Sequence, residues 1–124
     1  MKIFKNVAIQ IDINILNQID KLVEEERNKI LNSKLPKRRK RELINKINRS
    51  SISEKLIKNG LLIVNFFGYN FISHSPNKKI ISININYDLY EKLRKFWEEY
   101  GYSRNVVIVD LLDKGLKCRK LGIY

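Results

Sequence analysis

The chain has 124 residues, with 25 Lys and Arg against 13 Asp and Glu, for a formal net charge of +12 and a pI near 9.9. That length makes one domain or two very small ones, and the charge speaks of anionic partners rather than of a fold. No apolar run approaches the roughly 18 residues of a membrane span; Cys118 has no cysteine to pair with, and one histidine with one cysteine leaves no His/Cys zinc site.

In chain order, Val7, Ile9 and Ile11 alternate with Ala8, Gln10 and Asp12, the period-two signature of a half-buried strand. Without a turn the pattern becomes a helical stripe of Ile15, Ile19, Leu22 and Val23, with Asp12 in the N-cap place. This helix is expected to run past Glu24, Glu25 and Glu26 toward Leu31, and Asn32 to Leu35 is expected as loop. Lys37, Arg38, Arg39, Lys40 and Arg41 then make the densest positive charge in the sequence. Pro36 before them, and Leu43, Ile44 and Ile47 beyond, predict a short extra helix. A helix capped by Asn48 follows to about Val64, offering Ile52, Leu56, Ile57, Leu61 and Val64 to a core. Residues 66–79 read as a linker, with turn chemistry at Gly68, Asn70, Ser75, Pro76 and Asn77; Phe66, Phe67, Tyr69 and Phe71 are expected to pack on the helices.

The opening pattern then returns. Ile81, Ile83 and Ile85 alternate with Ser82, Asn84 and Asn86, and Leu89, Leu93, Phe96 and Trp97 form the stripe that follows. Asn86 caps this helix and Asp88 suits its positive end. Ser103 opens a last helix whose Val106–Val109 run reads as a strand on propensity alone. Its phase against the helix from Asn48 assigns it to helix, and a helix apolar on most sides belongs at the centre of a core or against a second molecule. The copies also match at Tyr102-Ser103-Arg104-Asn105 with Ile47-Asn48-Arg49-Ser50, and at LLDKGL (111–116) with LIKNGL (56–61). Ile11 to Asn48 is 37 positions but Ile85 to Ser103 only 18, so copy one carries an insertion of 19. Each copy therefore reads strand, helix, helix. A lone strand leaves its backbone unpaired, so the two strands are expected to pair antiparallel, with Ile9 and Ile83 on the covered face and Gln10 and Asn84 on the other. Two helical hairpins with unrelated strands are the plainer alternative.

The order ISININYDLYEKL, a loop with Gly101, then YSRNVVIVDLLDKGL resembles the ribbon-helix-helix DNA-binding proteins, over residues 78–118 and, more divergently, 5–24 and 46–64. Members usually carry one unit per chain and dimerise. Two units in one chain resemble the tandem regulators of archaeal filamentous viruses. The resemblance implies a mainly α fold with a two-stranded antiparallel β-ribbon, two units forming a pseudo-twofold monomer. The first unit spans 1–65 with the basic insertion at about 28–46, the linker 66–78 and the second unit 79–124.

The family would set Asn6, Ala8, Gln10, Ile80, Ser82 and Asn84 against base edges in the major groove, whose width of about 12 Å admits a ribbon. Asn and Gln suit adenine, and small apolar groups suit the thymine methyl. This face departs from many relatives in having no Arg or Lys at its middle, which implies an A·T-rich core in the site. Phosphate contacts are expected at the starts of the second helices, from Asn48, Arg49 and Ser50 and from Ser103, Arg104 and Asn105, with Lys5, Lys78 and Lys79 flanking the ribbon. The cluster Lys37 to Arg41 is an accessory candidate for neighbouring phosphate, with a solvated charge run as its alternative. Because the halves differ, the DNA site need be only an approximate palindrome.

The reading is a sequence-specific regulator of transcription on promoter or operator duplex DNA. Self-association along DNA stays open; no membrane, cofactor or metal is expected, and the opening MKIFKNVAIQID, without a signal-type apolar block, points to the cytoplasm, that of a host if the protein is viral. Enzyme readings are poor. His74 stands alone in the linker, Cys118 has no histidine near it, and no GxxxxGK phosphate loop occurs. The rivals are a nonspecific DNA-coating protein, favoured by the charge, and an antitoxin-like adaptor, disfavoured by the short tail after Gly115.

Overall fold

Two nine-residue strands, β1 (Phe4–Asp12) and β2 (Lys78–Asn86), form a two-stranded antiparallel sheet in the computed structural model, which describes residues 3–74 and 77–120. The other described elements are helices: α1 (Ile13–Leu31), α2 (Lys37–Asn45), α3 (Arg49–Phe67), α4 (Tyr87–Glu98) and α5 (Arg104–Lys120). Ser75 and Pro76, expected as turn residues, and the last residues of the tail, 121–124, lie outside the described part.

Each strand enters its helix without a loop, and the caps explain how. Asp12 and Asn86 keep extended backbone angles while their side-chain oxygens accept from Asn14 N–H (2.7 Å) and Asp88 N–H (2.9 Å), satisfying amides the first helical turn leaves free. The sheet also extends one bond past each strand end. Ile13 N–H donates to the Asn77 carbonyl and Tyr87 N–H to the Ile3 carbonyl, both at 2.9 Å.

The register sets Val7 opposite Ile83, Ile9 opposite Ile81 and Ala8 opposite Ser82. Ile9 and Ile83 thus share a face but take other direct partners. Period-two geometry puts Val7, Ile9, Ile11, Ile81, Ile83 and Ile85 on the covered face, each at most 7% exposed.

Beneath that face α3 and α5 cross. Ile108, Leu111 and Leu112 of α5 are fully buried, as are Ile57 and Val64 of α3, so the β-prone run at 106–109 is helical and sits at the centre of the core. Two matched glycines set how closely the helices approach. A Cβ on Gly60 would lie 2.3 Å from the Leu111 carbonyl oxygen, and one on Gly115 2.2 Å from that of Leu56. The predicted stripes of α1 (Ile15, Ile19, Leu22, Val23) and α4 (Leu89, Leu93, Phe96) are buried, with Trp97 partly so.

The linker behaves differently from expectation at its start. Phe66 and Phe67 are the last residues of α3 and stand 86% and 84% exposed, on the outer side of a helix that continues one turn beyond its packed part. Tyr69 and Phe71 do pack, edge-on against Phe96 at 5.1 and 5.0 Å between ring centres. The linker is further stapled to α5 and to the loop that precedes it. His74 Nε2 lies 2.8 Å from Oδ1 of the buried Asp110, Lys114 bonds the other oxygen of Asp110 and the Asn70 carbonyl, and Tyr102 Oη donates to the Tyr69 carbonyl.

Candidate nucleic-acid interface

The uncovered face of the sheet carries Asn6, Ala8 and Gln10 beside Ile80, Ser82 and Asn84, and all six are exposed. No charged side chain stands among them. Across the ladder Asn6 Nδ2 donates to Asn84 Oδ1 at 2.9 Å, which fixes both amides side by side. The Asn84 amide nitrogen keeps its donors, and Asn6 keeps its oxygen as an acceptor. Ile80, 69% exposed, lies opposite Gln10 and offers an apolar contact next to an amide. Cations stand only at the rim. Lys78 shares the parity of the outer face, whereas Lys5 and Lys79 are on the opposite parity at the sheet ends, Lys5 with its ammonium 5.8 Å from the Tyr90 ring centre.

An isolated ribbon has two open edges, and here the starts of α3 and α5 close them at matched places. The Asn105 side chain makes two bonds to the backbone of Gln10, accepting from its N–H at 2.7 Å and donating to its carbonyl at 2.9 Å. On the other edge Asn84 N–H donates to Ser50 Oγ at 2.8 Å. Sequence reasoning gave Ser50 and Asn105 to phosphate; in the structure their side chains hold strand edges, and what they leave toward solvent is the backbone of the helix starts. Asn48 is occupied in the same sense. Its Oδ1 accepts from Ser51 N–H at 2.9 Å and its own N–H donates to Ser51 Oγ at 3.0 Å, a reciprocal capping box.

The two arginines at these places differ. Arg49 is held by Asp20 of α1 in a two-point pair, Nε to Oδ1 at 2.7 Å and Nη2 to Oδ2 at 2.9 Å. The hydrogen bond to Asp20 raises the Arg49 pKa above its ordinary value, desolvation opposes this, and the charge of Asp20 adds to the rise. Arg104 is exposed and makes no ion pair among the described residues. Sequence reasoning missed Asp20, although aligning the two copies sets it against Arg94, a reversal of charge that could have singled it out.

The surroundings follow suit. Beside α5 a groove of about 560 Å³ is lined by Gln10, Lys78, Ile80, Ser103, Arg104 and Asn105, with the buried Asp12 as a carboxylate in its wall. Beside α3 a groove of about 710 Å³ has Asp20, Glu24, Arg27 and Arg49 in its walls, so its charges balance. The expected accessory cations form α2, where Lys37, Arg38, Arg39 and Arg41 are exposed and Lys40 is half-buried.

Away from the ribbon, one ligand atom each from His74, Asp110 and Asp113 could meet a metal ion, the three lying within 4.8 Å of one another. Both carboxylates are already neutralised, Asp110 by Lys114 and Asp113 by Lys117 at 2.8 Å, so a divalent ion would have to displace lysines. The cluster fastens the linker to α5. No helix of the described residues is long and apolar enough to cross a membrane. Comparison with protein families, with curated proteins and with solved structures gives no match.

Proposed function

We propose that the chain is two ribbon-helix-helix units joined in one polypeptide, and that it binds duplex DNA sequence-specifically, as a regulator of transcription, with the ribbon in the major groove. The two units are related by an approximate twofold axis through the Ala8–Ser82 pair. Three observations support this symmetry: matched positions 8 and 82 face each other, the clamps Ser50–Asn84 and Asn105–Gln10 are equivalent under the repeat, and Gly60 and Gly115 make reciprocal contacts.

The observation that carries the functional reading is an exposed, uncharged, hydrogen-bonding ribbon face flanked on both edges by helix starts. The Gln10 amide can bond adenine at two points, the Asn6–Asn84 pair presents one amide oxygen beside free amide donors, and Ala8 and Ile80 suit thymine methyl groups, which favours an A·T-rich core. The α5 start, with free backbone N–H groups, Arg104 and nearby Lys78, seats a phosphate, and Lys5 and Lys79 add charge at the rim. Net charge of +12 supplies the salt-dependent attraction.

The test is selection of bound fragments from random duplex DNA, followed by competition between selected and scrambled duplexes at fixed salt. Selected sequences should win by at least tenfold, with discrete protected boxes in footprinting. Equal affinity with uniform protection would instead identify a DNA-coating protein.

A further inference from the structure

The two ends of the ribbon are electrically unequal, and one matched position accounts for it. Where the first copy has Asp20, the second has Arg94, which pairs with Glu91 and Glu98 of its own helix at 3.3 and 3.1 Å. Arg104 is left exposed, while Arg49 is tied down by Asp20. The copy whose arginine is withheld is also the copy that carries the insertion.

Helix α2 holds five cations in a row and a single carboxylate, Glu42. A nine-residue helix is too short to persist unaided. It is fixed by the Lys40 side chain, by the connection that follows it and by its apolar side. Lys40 Nζ donates to the Leu31 carbonyl at 2.9 Å, Arg27 donates twice to the Ile47 carbonyl at 3.0 and 2.7 Å, and Leu43 and Ile44 are half-buried. The remaining cations point outward: Arg38 and Arg39, with 94% and 54% of their side chains exposed, share the single carboxylate of Glu42 at 3.7 and 3.4 Å, and Lys37 and Arg41 are exposed.

These charges stand where a helix least favours them. Pro36, at the N-cap, gives no side-chain hydrogen bond, and the first turn adds Lys37 to Lys40 to an end already made positive by its free amides. An anion placed there would relieve that repulsion. Counting helical rise and the short connection, all five cations lie within about 25 Å of Asn48, at the start of the helix whose Ser50 holds the ribbon edge.

Building on the duplex-DNA reading above, we propose that α2 is an electrostatic arm that grips phosphates beyond the ribbon on the first copy's side, in place of the arginine that Asp20 withholds. DNA is then held asymmetrically, by a helix start with a free arginine at one end and by a basic helix at the other.

Hydroxyl-radical footprinting and salt titration on a selected duplex test this with the full chain. Replacing Lys37, Arg38, Arg39 and Arg41 together by Ala spares the anchoring Lys40 and should retract the footprint at one end only. It should also lower the slope of log K against log salt by up to about 3.6, at ~0.9 per phosphate no longer neutralised. Arg104→Ala should lower the slope by about 0.9, and Arg49→Ala by much less. If the fourfold variant keeps both footprint boundaries and the wild-type slope while Arg104→Ala still weakens binding, the arm is refuted and the DNA reading stands. A loss in Arg49→Ala as large as in Arg104→Ala refutes the asymmetry. A wild-type protein that binds no duplex at all sinks both.

Discussion

Alanine at Gly60 should destabilise the protein, although alanine is the better helix former by about 1 kcal/mol. The new Cβ would stand 2.3 Å from the Leu111 carbonyl oxygen and 3.0 Å from its carbonyl carbon. That is about 1 Å inside an ordinary carbon–oxygen contact of ~3.3 Å. The atoms it meets are backbone, so no rotamer change can make room, and α3 and α5 must part along their crossing. Overpacking of this kind costs about 1–3 kcal/mol and sometimes more, and the upper end applies where backbone is struck. Set against the propensity gain, the net loss is about 2 kcal/mol, or roughly 6–10 °C in melting temperature for a chain of this size. Gly115→Ala, 2.2 Å from the Leu56 carbonyl oxygen, should behave alike. Because both changes widen one crossing, the double variant should lose clearly less than the sum. Urea and thermal unfolding followed by circular dichroism give all three values. A rise in melting temperature for either single variant would mean that the helices do not touch there, and full additivity would mean that they do not share one crossing.

Gln10→Ala and Asn84→Ala remove exposed amides, so melting should change little, while discrimination between selected and scrambled DNA should fall by about 1–3 kcal/mol for each base edge no longer bonded, read by competition gel shift. Asp110→Asn leaves His74 and Lys114 without their buried carboxylate and should cost about 3 kcal/mol in unfolding, with faster proteolysis of the linker at 68–77. Lys117 has its pKa raised above the ordinary 10.5 by its hydrogen bond to Asp113 and then by that carboxylate's charge, against some desolvation. A raised folded-state pKa gives stability that is whole below the unfolded value and fades as pH climbs through the folded one. Wild type and Lys117→Met should therefore differ by a constant small margin from pH 7 to about 10 and converge in more alkaline unfolding curves.

Much of the fold was legible in the sequence because its determinants are local. Period two passing into period 3.6 at Asp12 and Asn86 placed both strand-to-helix junctions, and Asn48 marked the start of α3. Parity alone then separated the covered isoleucines from Asn6, Gln10, Ser82 and Asn84, since a strand offers its side chains only two faces. The β-prone run in α5 yielded to the phase of its matched copy, because burial on every side suits β-branched residues in a central helix as well as in a strand.

Side-chain partners were not legible, because contacts between distant segments leave no period in a sequence. Nothing local shows that Arg49 meets Asp20, that Ser50 and Asn105 hold strand edges, or that Phe66 and Phe67 extend past the packed part of α3. The matched glycines were visible as letters in LIKNGL and LLDKGL, yet their purpose depends on two helices crossing at backbone contact. Periodicity and capping, which act over a few residues, determined the elements and the face each presents. Three-dimensional packing, which brings charges and backbone edges together across the chain, decided which cations are paired and which stand exposed.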